Sequence, residues 1–313
     1  MTVIPAPELT RHERLLWGLC YRMTGSAADA DDLVQDTFVR ALERPPAEAG
    51  DVRPWLVKVA LNLAKDRLRA RRRRAYKGPW LPSVVPTDDG ADAGEALPSF
   101  DAVDEASPAH RYDLVESVQL AFLLALEALS PTQRAVVLLC DVFERPVKEA
   151  AEALGISEAN VKVVHHRARK ALAAYDRDRV PRSAELTAKT RDVLRAFAGA
   201  LASGDQETAR ALLADDAVSL NDGGGRFVAA GVPLVGKDRI LKGTFGVLGR
   251  AAPVVRVVEI ELNGAPALLV DVAPQKPNVA PRIVLQVELD VLGKIRRIYN
   301  LLAPDKLTAL DAR

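Results

Sequence analysis

The residues best placed to do chemistry are cationic. Residues 62–78 read NLAKDRLRARRRRAYKG, and six of the eight positions from Arg67 to Arg74 are arginine. A guanidinium stays charged at any ordinary pH, so it is no acid–base catalyst; its fork of donors grips phosphates and carboxylates. A like-charge run is also often just a solvated face, and the run alone leaves both readings open. A second basic set lies in VKEAAEALGISEANVKVVHHRARKAL, residues 147–172. A helix-turn-helix needs a small residue where its helices touch, a glycine in the turn and an apolar residue inside the second helix. Ala151, Gly155 and Val161 supply these in order. Gly155 can close the first helix in the left-handed conformation. Ser157 can cap the second, whose stripe is Val161, Val164, Ala168 and Leu172. Its other face carries Asn160, Lys162, His166, Arg167, Arg169 and Lys170, donors suited to phosphates and to base edges in a major groove. The spacing and the near absence of acid on this helix favour DNA recognition over an ordinary solvated hairpin.

Bond-making chemistry is poorly provided for. His165 and His166 are adjacent, so they do not share a helix face, and no Cys or acid pattern accompanies them. No metal site is expected. Cys20 and Cys140 sit in apolar helical patterns far apart in sequence and read as buried small hydrophobes, with no disulfide. From Leu186 to Arg313 there is no His, Cys or Trp. General acid–base work there would fall to Asp or Glu, with Asp222 the best placed, yet Asp222 stands beside three glycines that suit a turn. DGGG could instead cradle an anion with backbone N–H groups. No enzyme activity and no cofactor are expected.

The elements that must position these residues follow from pattern. With 313 residues, two or three domains are expected; 49% apolar and 27% charged residues exclude a disordered chain. No window holds 18 uncharged apolar residues, so no membrane span is expected. The start, MTVIPAPELT, lacks a basic stretch followed by an apolar core, so a cytoplasmic protein without a secretory leader is expected. The net charge of +1 hides an asymmetry. From Arg53 to Lys77 ten Lys or Arg face one acid, Asp66; from Pro79 to Ala109 there are seven acids and no Lys or Arg. That is a polyanion-binding module followed by a linker.

Residues 8–78 read as helical, with Ser26 as an N-cap, acids Asp29, Asp31 and Asp32 in the following turns, and a helix from about Pro54 into the arginines. Residues 79–112 read as an acidic linker in which Trp80 is stranded unless it docks on something. Residues 113–178 are helical again: LVESVQLAFLLALEALS as one amphipathic helix, then a helix capped by Ser130. Residues 186–313 open with helices broken at SGD and pass to β-branched runs, RFVAAGV, VVRVVEIEL, ALLVDV, RIVLQVELDV and KIRRIYNLL. Asn263-Gly264 marks a hairpin. Helices followed by an antiparallel sheet make an α+β domain, with DGGG between helix and strand.

The order DADDLVQDTFVRALE, RPWLVKVALNLAKDRLRARRRR, linker, LSPTQRAVVLLCDVF and ALGISEANVKVVHHRARKAL resembles an extracytoplasmic-function (ECF) RNA polymerase sigma factor over about residues 10–176. The likeness departs at FERPVKEAAEAL, where many members carry a glycine–aromatic turn. The remainder resembles a subgroup, the SigJ type, with a fused SnoaL-like domain of the cone-shaped NTF2-like fold. Its signatures appear as Trp80-Leu81-Pro82, Asp222-Gly223-Gly224-Gly225 and Pro304-Asp305-Lys306-Leu307; Ser83-Val84 and Ala303 depart from the usual residues. The resemblance implies a multidomain chain: two all-α sigma domains, the second with a helix-turn-helix, plus an α+β domain. It implies binding of core RNA polymerase and promoter DNA. Asp29, Asp31, Asp32, Gln35 and Asp36 would dock on the polymerase largest subunit. Trp55 would hold an unstacked base or else be plain core. Asn62, Lys65, Arg67, Arg69, Arg71, Arg72, Arg73 and Arg74 would lie along promoter phosphates, with Asn62 and Asp66 alternatively structural. The acidic linker would pass near the polymerase active centre. The C-terminal domain would regulate in cis by docking DGGG and PDKL on WLP. The alternatives are a SnoaL-type enzyme, or a small-molecule sensor with a cavity lined by Val228, Val257, Leu269, Val287 and Tyr299.

Overall fold

A computed structural model describes residues 6–46, 51–72, 76–87, 112, 114–248, 253–274 and 276–310. The chain divides into two compact units. One comprises Met1–Ala75 and Asp88–Arg177; the other comprises Tyr76–Thr87 and Asp178–Arg313. Residues 76–87 therefore go with the second unit, whereas the sequence reading divides them between a helical domain, 8–78, and an acidic linker, 79–112, that carries the Trp-Leu-Pro element. The acidic stretch 88–111 lies outside the described residues.

The first unit is helical: α1 (Ala6–Thr10), α2 (Glu13–Thr24), α3 (Ala27–Glu43) and α4 (Arg53–Arg72), then α5 (Leu120–Ala125), α6 (Pro131–Val137), α7 (Val147–Leu154) and α8 (Glu158–Asp178). Caps set the boundaries. Gly25 closes α2 with φ 65°, and the Ser26 hydroxyl accepts the Asp29 N–H at the start of α3. Ser130 and Gln133 form a reciprocal capping box on α6, with Pro131 at its first position. The single helix expected from Leu114 to Ser130 is instead broken. Short 3₁₀ turns at Glu116–Val118 and Leu126–Ala128 flank α5, and Gln119 is extended. The break places the Ser117 hydroxyl on the fully buried Arg22, whose Nε donates to it at 2.7 Å while Nη2 donates to Leu114 O at 3.2 Å. Burial holds the Arg22 guanidinium down at about 10. The α2 C-terminus is closed from two sides: Arg134 Nη1 donates to Met23 O and Arg71 Nη1 to Thr24 O, and both arginines meet Glu127. Glu144, in the segment FERPVKEAAEAL, is left-handed with φ 49°.

The second unit has α9 (Ala184–Ser203), α10 (Gln206–Leu212), β1 (Leu213–Asp222), β2 (Leu234–Val235), α11 (Lys237–Leu248), β3 (Val254–Leu262), β4 (Ala265–Val272), β5 (Arg282–Leu289) and β6 (Ile295–Leu301). The six-stranded sheet runs β2-β1-β6-β5-β4-β3. Leu194 and Phe197 of α9, Ala209 of α10 and Ile240 of α11 pack with Leu285, Val287 and Ile298 of the sheet. Alternation along β5 puts Leu285, Val287 and Leu289 into this core. Three sequence expectations change. The sheet is mixed, because β1 pairs with β6 in parallel; the chain between them is long enough to return in the same direction. RFVAAGV forms no strand, and α11, which the sequence reading lacks, follows it. DGGG follows strand β1 and not a helix. The expected hairpin at Asn263-Gly264 is present, with φ 54° and 68°.

Candidate functional site

The helix-turn-helix forms as its spacing requires. Gly155 ends α7 with φ 66°, and the Ser157 hydroxyl accepts the Asn160 N–H at 3.3 Å. Val161, Ala168 and Leu172 are buried and Val164 is half-buried. Asn160, Lys162, His166, Arg167 and Lys170 are exposed together on the opposite side. Arg169 behaves differently. A five-residue π-turn, Leu138–Val142, continues α6 and carries Asp141, whose side chain is 1% exposed. Asp141 Oδ2 lies 2.8 Å from His165 Nε2 and accepts Arg169 Nε at 3.3 Å; Oδ1 accepts Arg169 Nη2. Burial pushes the Asp141 carboxyl up, but hydrogen bonds and charge from His165 and Arg169 outweigh it, and the net shift is downward. Cys140, expected to be buried, is half-buried beside it.

The basic helix is only partly available. Lys65 is 8% exposed, and burial, with Arg69 nearby, lowers its ammonium's pKa. It is a packed stem and not a surface contact. Arg67 Nη1 lies 2.5 Å from Asp29 Oδ1 and 3.3 Å from Asp32 Oδ2. Arg71 is spent on Thr24 O and Glu127. Arg69 is exposed and pairs with an exposed neighbour, Asp66, at 2.7 Å. Asn62 is half-buried. The Arg72 side chain, and Arg73 and Arg74 entirely, lie outside the described residues. On α3, Asp31, Asp32, Gln35 and Asp36 are exposed, and Asp31 accepts the Trp17 indole N–H at 2.6 Å. Asp29 is half-buried by its pairing with Arg67. Trp55 is half-buried in a cleft of ≈ 440 Å³ that it shares with Arg53, Lys58, Leu139 and Arg145.

In the second unit the three short signatures converge. Asp222, fully buried at the end of β1, accepts the Leu81 N–H at 2.8 Å on Oδ2, and the Tyr76 hydroxyl at 2.5 Å and the Gly224 N–H at 3.0 Å on Oδ1. Burial, then the Asp222 bond and charge, push the Tyr76 hydroxyl well above its usual range. Asp222 O takes the Leu302 and Ala303 N–H groups, and Lys306 O takes the Val84 N–H. Lys306 Nζ stands 4.4 Å from the Trp80 ring centroid. Two glycines are needed for the approach: a Cβ at Gly223 would lie 2.6 Å from Phe227 O, and Gly224 has φ +61° with Ala303 3.0 Å from such an atom. Leu81 and Pro82 are buried, and Leu307 is 4% exposed; Pro304 and Asp305 form the exposed part of a 3₁₀ turn. Further along, the Val85 N–H donates to Asn263 Oδ1 at 2.9 Å and Thr87 N to Glu261 O. Residues 76–87 are thus a strap built into the second unit. Of the five residues expected to line a ligand cavity, Leu269, Val287 and Tyr299 are buried. Val228 and Val257 are 59% and 54% exposed, which is no cavity wall.

Residues 9–74 match the family model Sigma-70 region 2, and residues 119–172 match Sigma-70, region 4. The ECF RNA polymerase sigma factor SigJ of Mycobacterium tuberculosis is 33% identical over 96% of this chain and 93% of its own length. The chain is an ECF RNA polymerase sigma factor. The probable ECF sigma factor SigI of the same organism is 31% identical over 96% of this chain and 94% of its own. The crystal structure of M. tuberculosis SigJ superposes with a TM-score of 0.72 at 26% identity, covering 97% of this chain and 99% of that one. The two helical sigma regions and the following sheet-containing part are therefore shared along the whole length. Sigma factors bind core RNA polymerase and promoter DNA and are not enzymes. Among the described residues no helix is long and apolar enough to cross a membrane.

For this sigma factor the sequence reading misses Asp141, Tyr76, Arg22 and the second role of Asn263. Asp141 left one signal: a lone acid at the end of the apolar run AVVLLCDVF. Arg22 left the same kind of signal, a lone charge in LLWGLCYRM, and Tyr76 left none.

Proposed function

We propose that the second unit regulates promoter-directed initiation in cis by holding the strap that follows the basic helix. The observation that carries this is the buried Asp222 carboxylate accepting the Leu81 N–H and the Tyr76 hydroxyl. The strap is the first part of the chain joining the two sigma regions, and the family likeness runs that connection close to the polymerase active centre. Fixing twelve of its residues sets how much linker remains to span the regions. The exposed α8 donors Asn160, Lys162, His166, Arg167 and Lys170 read the upstream promoter element. Arg69, with Arg72, Arg73 and Arg74, contacts phosphates, which position the helix without specifying sequence. Asp31, Asp32, Gln35 and Asp36 dock on core polymerase.

Run-off transcription with core polymerase, on a promoter selected by genomic binding, tests the reading. Three chains are compared: full length, ended after about residue 180, and ended before Pro304. The last loses Leu307 and Lys306, whose carbonyl accepts the Val84 N–H and whose ammonium stands over Trp80. Initiation rates that differ severalfold among the three are expected; identical rates would remove regulation in cis.

A further inference from the structure

We propose that Asp141 is a positioning residue for promoter recognition, fixing the roll of α8 through His165 and Arg169. The inference rests on the reading that α8 faces DNA.

His165 and Arg169 are four residues apart, so they lie one above the other on the same side of α8, where a single carboxylate can hold both. At 100° per residue this side borders the stripe of Val161, Ala168 and Leu172. That stripe is narrow and centred on an alanine, so apolar packing alone constrains rotation about the helix axis weakly. Near its C-terminus α8 is held by the Tyr175 hydroxyl, which donates to Glu116 at 2.9 Å, and by Asp176, which accepts the Tyr112 hydroxyl at 2.6 Å; the Asp141 clamp, on one flank of the stripe, holds the half that carries the donors. A roll of about 20° would move a side-chain tip 6 Å from the axis by about 2 Å, more than a hydrogen bond tolerates. Without the clamp, Asn160, Lys162, His166, Arg167 and Lys170 would meet a groove in several registers. Phosphate attraction survives such blurring; base-edge contacts do not. The same geometry reassigns Arg169. Two of its nitrogens face a carboxylate that is 1% exposed, so swinging out to a phosphate would strand a buried charge.

The test uses full-length Asp141→Asn and Arg169→Ala, each bound to core polymerase. The probes are a duplex of the selected promoter and an unrelated duplex of equal length. Both variants should lower the promoter-to-unrelated affinity ratio by about tenfold or more. The slope of log affinity against log salt on unrelated DNA should stay as in the parent chain, because no phosphate contact is lost. Arg169→Lys, which keeps a cation on Asp141, should retain more of the ratio than Arg169→Ala. A slope lower by about one in Arg169→Ala would make Arg169 a phosphate contact and overturn the proposal. Lys162→Ala and Arg167→Ala separate the layers. If neither weakens promoter binding, the reading of α8 itself fails. If they do and both Asp141→Asn and Arg169→Ala keep the ratio, positioning alone is refuted. Should Asp141→Asn not fold, Arg169→Ala and His165→Gln decide, since each removes one side of the clamp from the surface helix.

Discussion

Replacing Asp222 grades the anchorage of the strap. Its carboxylate serves three donors: the Leu81 N–H on Oδ2, and the Tyr76 hydroxyl and Gly224 N–H on Oδ1. Asp222→Ala leaves a buried backbone N–H and a half-buried hydroxyl without this acceptor. Charge-assisted bonds contribute about 1.5–3 kcal/mol each and are not additive, so the loss is about 3–5 kcal/mol. Asp222→Asn is milder for a geometric reason. Leu81 N–H only donates, so the amide oxygen must take the Oδ2 place. The amide nitrogen then faces Tyr76, whose hydroxyl can accept, and Gly224, whose N–H cannot. One donor is stranded, at about 1–2 kcal/mol. At about 3 °C per kcal/mol for a unit of this size, the transition should fall by about 9–15 °C for alanine and about 3–6 °C for asparagine. Differential scanning calorimetry of the full chain reads both units; only one transition should move. Equal losses in the two variants, or a fall below about 2 °C in the alanine variant, would refute the three-donor account.

Asn263 supports the strap in two ways, and substitutions separate them. Asn263→Gly keeps the left-handed turn but loses the Val85 N–H bond, about 1–2 kcal/mol, and Asn263→Ala adds about 1 kcal/mol of backbone strain; chemical denaturation should rank them in that order. Glu127→Ala removes the shared partner of Arg71 and the 3%-exposed Arg134 and should cost the first unit about 1–2 kcal/mol, read by urea midpoint. Asp141 titrates lower in the fold than its ordinary value of 3.8, so its contribution is complete above that pH and lost as pH falls below it. Asp141→Asn should therefore flatten the acid limb of the first unit's stability curve, followed by circular dichroism between about pH 5 and 3.

Features that depend on neighbours in sequence were legible. The caps at Ser26, Ser130 and Gly155, the stripe of α8 and the β-branched runs that become β3 to β6 appear where local pattern puts them. Features that depend on remote partners were not. β1, LADDAVSLND, carries two adjacent acids and is a strand between two partners remote in sequence, β6 in parallel and β2 antiparallel. The helix expected across 114–130 is broken where Ser117 turns to Arg22, 95 residues away. The candidate site divides in the same way. The exposed donors of α8 could be read from spacing, whereas the clamp behind them needs a π-turn that no local propensity announces.

The arginines show why charge counting overstates a nucleic-acid surface. By composition, residues 67–74 present six equivalent cations. In the fold, Arg67 pairs with two acids of α3 and Arg71 closes the end of α2 with Glu127. Arg169 on α8 goes the same way, to Asp141. A guanidinium with five donors is the side chain best able to close a helix end or hold a buried carboxylate, and each use commits some of those donors to an internal acceptor. Of the cations proposed above to meet DNA, Lys162, Arg167 and Lys170 are exposed, and Arg69 is exposed with an exposed partner, Asp66. What marks a polyanion-binding face is therefore cationic density after internal acceptors are served, and that remainder depends on the fold as much as on the sequence.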